Sequence, residues 1–180
     1  MFYDNFTYTH THDGAKDNLN MKGSFSHDVK VKVPAAEAWK VYGTLRLSEV
    51  VRQRLPNVLS RLDVLEGDGG PGTKMHLVYP PGNPLGSLKE EFLVVDDQTM
   101  TKITQVYEGG YLNFGITLYR VTFRVVPDPE DDRGCTVKCT LDYEIREDSM
   151  ANAGFVSIKA LSYVMDAAND YLLSSSGVTN

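Results

Sequence analysis

An acid and a lysine stand on strand-like faces that otherwise carry apolar or small side chains. Glu90 falls between Leu88, Phe92 and Val94 at every second position, so a strand turns all four to one side. Lys102 is placed in the same way with Thr104 and Val106. Burying a charge costs several kcal/mol unless it is paired or neutralised, so an apolar face normally excludes both groups. A cavity that needs an acid–base pair is one explanation for keeping them. A solvated edge pair is the other, because Lys89 and Glu91 flank the site and make the local pattern charged throughout.

Other chemistries lack a starting set. The glycines of EGDGGPGT (66–73) suggest a phosphate cradle, but such a loop needs GxxxxGK[ST] at the start of a helix. Here Thr73-Lys74 comes in reversed order and a strand comes next, so a tight strand–strand connection with positive φ residues accounts for them. There is no HExxH, GxSxG, paired CxxC or carboxylate-rich calcium loop. His10, His12 and Asp13 are at most a weak metal site in a flexible tail, so no metal is expected. Cys135 and Cys139 lie four apart in one strand-like run, about 13 Å, beyond disulfide reach. They read as small buried hydrophobes in a reducing compartment.

The elements that position these residues are legible from period and punctuation. Residues 23–33 alternate strictly, with Phe25, Val29, Val31 and Val33 on one face. His27 interrupts that face, either as a satisfied core histidine or as part of a pocket lining. Pro34 suits the first turn of a helix, and 35–42 and 45–54 read as two short helices around Gly43. Strands are expected at 58–65, 73–79, 88–95, 101–107, 116–126 and 135–145, the last with Val137, Leu141 and Tyr143 on the cysteine face. Residues 149–173 read as one long amphipathic helix, with Phe155, Ile158, Leu161, Met165, Ala168 and Leu172 as its stripe and Asp148 or Ser149 as its cap. The sum is an α+β fold: a seven-stranded curved antiparallel sheet around a long C-terminal helix, with two short helices and an internal apolar cavity.

Composition bounds the rest. With 180 residues, 42% hydrophobic and 23% charged, the chain is ordinary for a globular domain. Its net charge of −6 argues against nucleic-acid binding, and no apolar run approaches the roughly 20 residues of a membrane span. The expected organisation is a disordered arm over 1–20, one ligand-binding or catalytic domain over 21–175 and a flexible tail over 176–180. The arm lacks the apolar core of a secretion signal, and its Asn5-Phe6-Thr7 sequon is not expected to be used.

With EGDGGPGT (66–73), KEEF (89–92) and EGGYLNFG (108–115) in this order, the chain resembles the plant Bet v 1-like family, the pathogenesis-related class 10 proteins. Within it, the chain looks like the norcoclaurine synthase branch. The resemblance covers about 23–173 and implies a seven-stranded sheet gripping a long helix around a large apolar cavity. Family members bind hormones, flavonoids, cytokinins and alkaloid precursors, and the synthases join dopamine to an aldehyde without a cofactor. It implies Glu90 as general base and Lys102 as the charged group near the forming iminium. It also implies departures: the synthases carry a tyrosine where this chain has Leu88, and an aspartate where it has Val121.

Such a pair suits amine–aldehyde condensation, in which an acid assists loss of water from a carbinolamine and a carboxylate removes a proton on ring closure. Tyr79, Tyr111 and Tyr119 either stack on and hydrogen-bond phenolic substrates, beside Leu88, Phe92 and Val121, or pack the sheet in the ordinary way. The expected function is a plant enzyme of amine–aldehyde chemistry. The rivals are a non-catalytic carrier of a hydrophobic metabolite and an enzyme for a different cyclisation in the same cavity. A small aromatic metabolite is the expected partner, the protein a monomer or homodimer, and the compartment the cytosol.

Overall fold

The computed structural model describes residues 5–8 and 20–175. Its described strands form one antiparallel sheet. Strand β1 (Asn5–Tyr8) lies outside β2 (Asn20–Val31). Helices α1 (Ala35–Tyr42) and α2 (Arg46–Arg54) come next, then β3 (Arg61–Glu66), β4 (Lys74–Val78), β5 (Ser87–Asp96), β6 (Thr101–Gly109), β7 (Ile116–Pro127) and β8 (Cys135–Arg146). Helix α3 (Lys159–Ser175) ends the described chain. The spatial order is β1-β2-β8-β7-β6-β5-β4-β3. The seven expected strands are therefore β2 to β8. Four residues of the expected N-terminal arm add β1 along the β2 edge. His10, His12, Asp13 and the tail over 176–180 lie outside the described residues.

Alternation in the central strands builds the core. Cys135, Val137, Cys139, Leu141, Tyr143 and Ile145 of β8 are all buried, as are Tyr119, Val121, Phe123 and Val125 of β7. Met165, Ala168 and Leu172 of α3 are buried against this concave face. Tyr42 of α1 sits under both: its ring lies 5.5 Å from Phe123, and its hydroxyl donates to Met165 O at 3.3 Å. Trp39 Nε1 donates to Asp97 Oδ1 at 2.8 Å, tying α1 to the β5–β6 turn. Both cysteines are free and buried, as their spacing required.

The C-terminal helix is shorter than its pattern suggested. Glu147–Phe155 winds as a 3-10 segment with no buried residue, Val156 is extended, and α3 begins at Lys159. Asn152 spends its amide on Phe114 O at 3.0 Å, and Ser149 Oγ donates to Asp148 Oδ1 rather than capping a helix. Without an apolar stripe the segment has nothing to bury along a helix face. Phe155, expected inside, is 40% exposed and rests on the Phe114 ring at 4.6 Å. No helix among the described residues is long and apolar enough to cross a membrane.

Candidate active site

The segment that carries Glu90 lies between two β-bulges. Leu88 and Lys89 pair with Gly109 and Glu108, but Glu90 pairs with Val106, leaving Tyr107 as an extra residue. Phe92 pairs with Thr104, but Val94 pairs with Ile103, leaving Leu93 extra. An extra residue reverses the in–out parity of the strand beyond it. Val94, expected on the Glu90 face, is therefore turned out at 37% exposed, and Val95 packs on the core instead. Leu88, Phe92, Lys102, Thr104 and Val106 keep their expected inward positions and are all buried.

Above these strands the concave face opens into two adjoining chambers. One, of about 120 Å³, is lined by Lys102, Thr104, Phe92, Phe123 and Ser48 among others. The second, of about 460 Å³, is lined by Tyr79, Tyr111, Tyr119, Leu88, Asn83 and Lys159 among others. Glu90 and Val121 line both, as do Leu77 and Leu161, so the acid stands where the chambers meet. The sequence-derived residues thus come together, with one exception. His27, on β2, pairs with Cys139 of β8 and lines neither chamber, because α1 and α3 fill the trough at that end of the sheet.

Lys102 is 2% exposed. Its Nζ donates to Thr44 O at 3.3 Å and lies 4.8 Å from the centroid of the Phe92 ring. Among the described residues no carboxylate forms an ion pair with it. Burial pulls its pKa down to about 8, against the opposing pull of Glu90. Glu90 is half-buried, and what surface it keeps faces the chambers. Desolvation raises its pKa, and Lys102 and a hydrogen bond from Thr104 only partly offset this. The two shifts act together: each favours the neutral form, which brings a protonated carboxyl and an unprotonated amine closer to coexistence.

Three phenols line the second chamber. The Tyr111 and Tyr119 rings stack at 3.9 Å with 8° between planes. Tyr79 and Tyr119 both hydrogen-bond to the Tyr111 hydroxyl. Burial raises all three pKa values, and the two hydrogen bonds that Tyr111 receives restrain its own rise. Gly109 and Gly110 set this corner, with φ of 73° and 51°. A Cβ on Gly110 would come 2.8 Å from Leu88 Cβ, so the backbone carrying Tyr111 lies directly on Leu88.

Several lining groups escaped the sequence reading. Thr104 showed its position through its parity with Lys102, but not its bond to Glu90. Thr44 contributes a backbone carbonyl at the α1–α2 break, for which no side-chain pattern exists. Asn83 and Lys159 come from loop packing and a helix start. The Gly67–Gly72 glycines join β3 to β4 as expected, and Gly69 N–H donates to Thr73 Oγ1 at 2.9 Å.

A curved antiparallel sheet, closed by a terminal helix over an apolar cavity with few polar groups, defines a class of small-molecule-binding folds. A model of the pathogenesis-related protein Bet v 1 family matches residues 20–175, and the chain belongs to that family. It is 35% identical to norbelladine synthase of Narcissus pseudonarcissus over 85% of this chain and 93% of the relative. It is 34% identical to S-norcoclaurine synthase of Thalictrum flavum subsp. glaucum, over 67% of this chain but 56% of the relative. The structure of norcoclaurine synthase from Thalictrum flavum in complex with dopamine and hydroxybenzaldehyde matches with a TM-score of 0.77 and 29% identity, covering 86% of this chain and 88% of that one.

Proposed function

We propose that this protein condenses a phenolic arylethylamine with an aldehyde, by Pictet–Spengler or related imine chemistry in plant specialised metabolism. The observation that carries the reading is Glu90 and Lys102 held in one apolar cavity, both shifted toward neutrality. Retaining two ionisable groups there costs stability, which a passive container has no reason to bear. Lys102 assists departure of the carbinolamine hydroxyl, and Glu90 takes the proton released when an activated arene closes on the iminium. Tyr79, Tyr111 and Tyr119 hold the phenolic ring, with Leu88, Phe92 and Val121 as apolar walls. The dopamine and hydroxybenzaldehyde bound by the Thalictrum neighbour support both substrate classes. The buried free thiols favour a reducing compartment, for which the cytosol is our assignment.

Leu88 and Val121 favour a second reading. Both are apolar and buried, which suits a carrier that binds a hydrophobic metabolite without changing it. Chiral chromatography separates the two. The protein is incubated with dopamine and 4-hydroxyphenylacetaldehyde, which condense slowly unaided to a racemate. An enantiomeric excess that disappears in Glu90→Ala supports the enzyme; binding with only racemic, background-level product supports the carrier.

A further inference from the structure

We infer that the rim of the larger chamber is a carboxylate-recognition site, formed by Lys159, Asn83 and Ser157, that selects an aldehyde carrying an acid group at its far end. The inference rests on the condensation reading and names the substrate class on its aldehyde side.

The larger chamber has a buried floor and an open rim. Tyr111 and Tyr119 are buried below, whereas Lys159 and Ser157 are exposed and Asn83 is half-buried. Among the described residues Glu90 is the one carboxylate in the lining, and it stands at the junction with the smaller chamber. Lys22, Lys40, Lys74, Lys89 and Lys138 each pair with a carboxylate. Lys159 forms no ion pair among the described residues. Its Nζ lies 6.0 Å from the centroid of the Tyr163 ring, at the outer limit of a cation–π contact. Lys30 and Lys32 are unpaired too, but they line neither chamber.

The groups beside Lys159 are occupied as acceptors and free as donors. Asn83 Oδ1 accepts the Leu85 N–H at 2.9 Å, which orients the amide and leaves its own N–H groups to donate. Ser157 Oγ accepts the Lys159 N–H at 3.1 Å and keeps its hydroxyl proton. The β4–β5 loop and the 157–159 segment thus present donors to one opening. Such a set, with one positive charge, favours a group that only accepts, and a carboxylate offers two oxygens for charge-assisted bonds. The protein's net charge of −6 repels anions at long range, so an anionic substrate needs a local cation of this kind. The amine substrate does not supply the acid. It arrives as a cation that Lys159 repels, and its phenolic ring is held by the tyrosines. The aldehyde is then the partner whose far end reaches the rim, while its carbonyl carbon lies beside Glu90.

Paired aldehydes test this on the full chain. Initial rates with dopamine are measured for 4-carboxyphenylacetaldehyde and 4-methylphenylacetaldehyde, and the ratio of their kcat/KM values is compared between proteins. Lys159→Glu is expected to lower the carboxy-to-methyl ratio about tenfold or more, through KM. Asn83→Asp, which keeps the acceptor for Leu85 but replaces the donor, should lower it as well. Lys30→Glu makes the same change in net charge away from the chambers and should leave the ratio as it is. Added salt should lower the wild-type ratio, because the rim is open to solvent. An unchanged ratio in either rim variant, or an equal fall in Lys30→Glu, overturns the site while leaving the condensation reading intact. Calorimetry with the corresponding alcohols, which do not condense, separates binding from turnover. Tighter binding of the carboxy alcohol, lost in Lys159→Glu, with no turnover of either aldehyde upholds the rim site and removes the condensation reading. Equal binding of the two alcohols by the wild-type protein overturns the site.

Discussion

Glu90 and Lys102 are each held where their charged forms are disfavoured, and that has a thermodynamic signature. The folded-state pKa of Lys102, about 8, is below its ordinary 10.5, so between these values the unfolded chain binds more protons. Stability should therefore rise with pH across this window, and the burial penalty is at full size below pH 8. Glu90 has the opposite sign: its folded pKa is raised above 4.5, so its contribution falls as pH climbs from there and it ionises in the fold. Lys102→Met, which keeps the bulk and removes the charge, should stabilise the protein by about 1–3 kcal/mol at pH 7. The gain should shrink as pH approaches 10.5. Urea unfolding of both proteins at pH 7 and 10 checks this. Both residues were visible in the sequence as polar intruders on an apolar face. Their solvated reading fell only when Lys102 proved 2% exposed, because burial depends on what packs above a strand. Thr44 O was beyond any such reading, since a backbone acceptor has no residue-type signal.

Among the elements, the strands were legible and their irregularities were not. Alternation located β8 to within a residue, because one face is buried along its whole length. The same rule misplaced Val94, because the extra Leu93 leaves no mark on composition. The pattern over 149–173 overshoots the helix: Phe155 and Ile158 are in phase with the α3 stripe, but the residues before them carry no apolar stripe and α3 begins at Lys159. The glycine corner is the clearest sequence-to-element link. Gly110 has φ of 51° and touches Leu88, so Gly110→Ala meets both a strained backbone and a crowded Cβ. Thermal denaturation should show a loss of about 1–3 kcal/mol. The near-ultraviolet circular dichroism of the adjacent tyrosine stack should change with it.

The whole molecule divides its concave face between packing and cavity. At the β2 and β8 end, α1 and α3 fill the trough, and Met165 and Tyr42 are fully buried there. Met165→Ala should cost about 2–5 kcal/mol, read by denaturant midpoint, with catalysis in the folded fraction largely retained. Over β4 to β7 the same face is left open, and that is where the ionisable pair, the phenols and the apolar walls converge. The architecture was readable from the order of elements; the partition of its interior was not, because it depends on how two short helices and α3 settle on the sheet. The most direct measurement is the initial rate of condensation of dopamine with 4-hydroxyphenylacetaldehyde by the wild-type protein, Glu90→Gln and Lys102→Ala, each corrected for the uncatalysed rate. Wild-type turnover well above background, falling about 10²–10⁴-fold in both variants while they remain folded, is the predicted result. Equal rates in all three proteins would contradict a catalytic role for the pair.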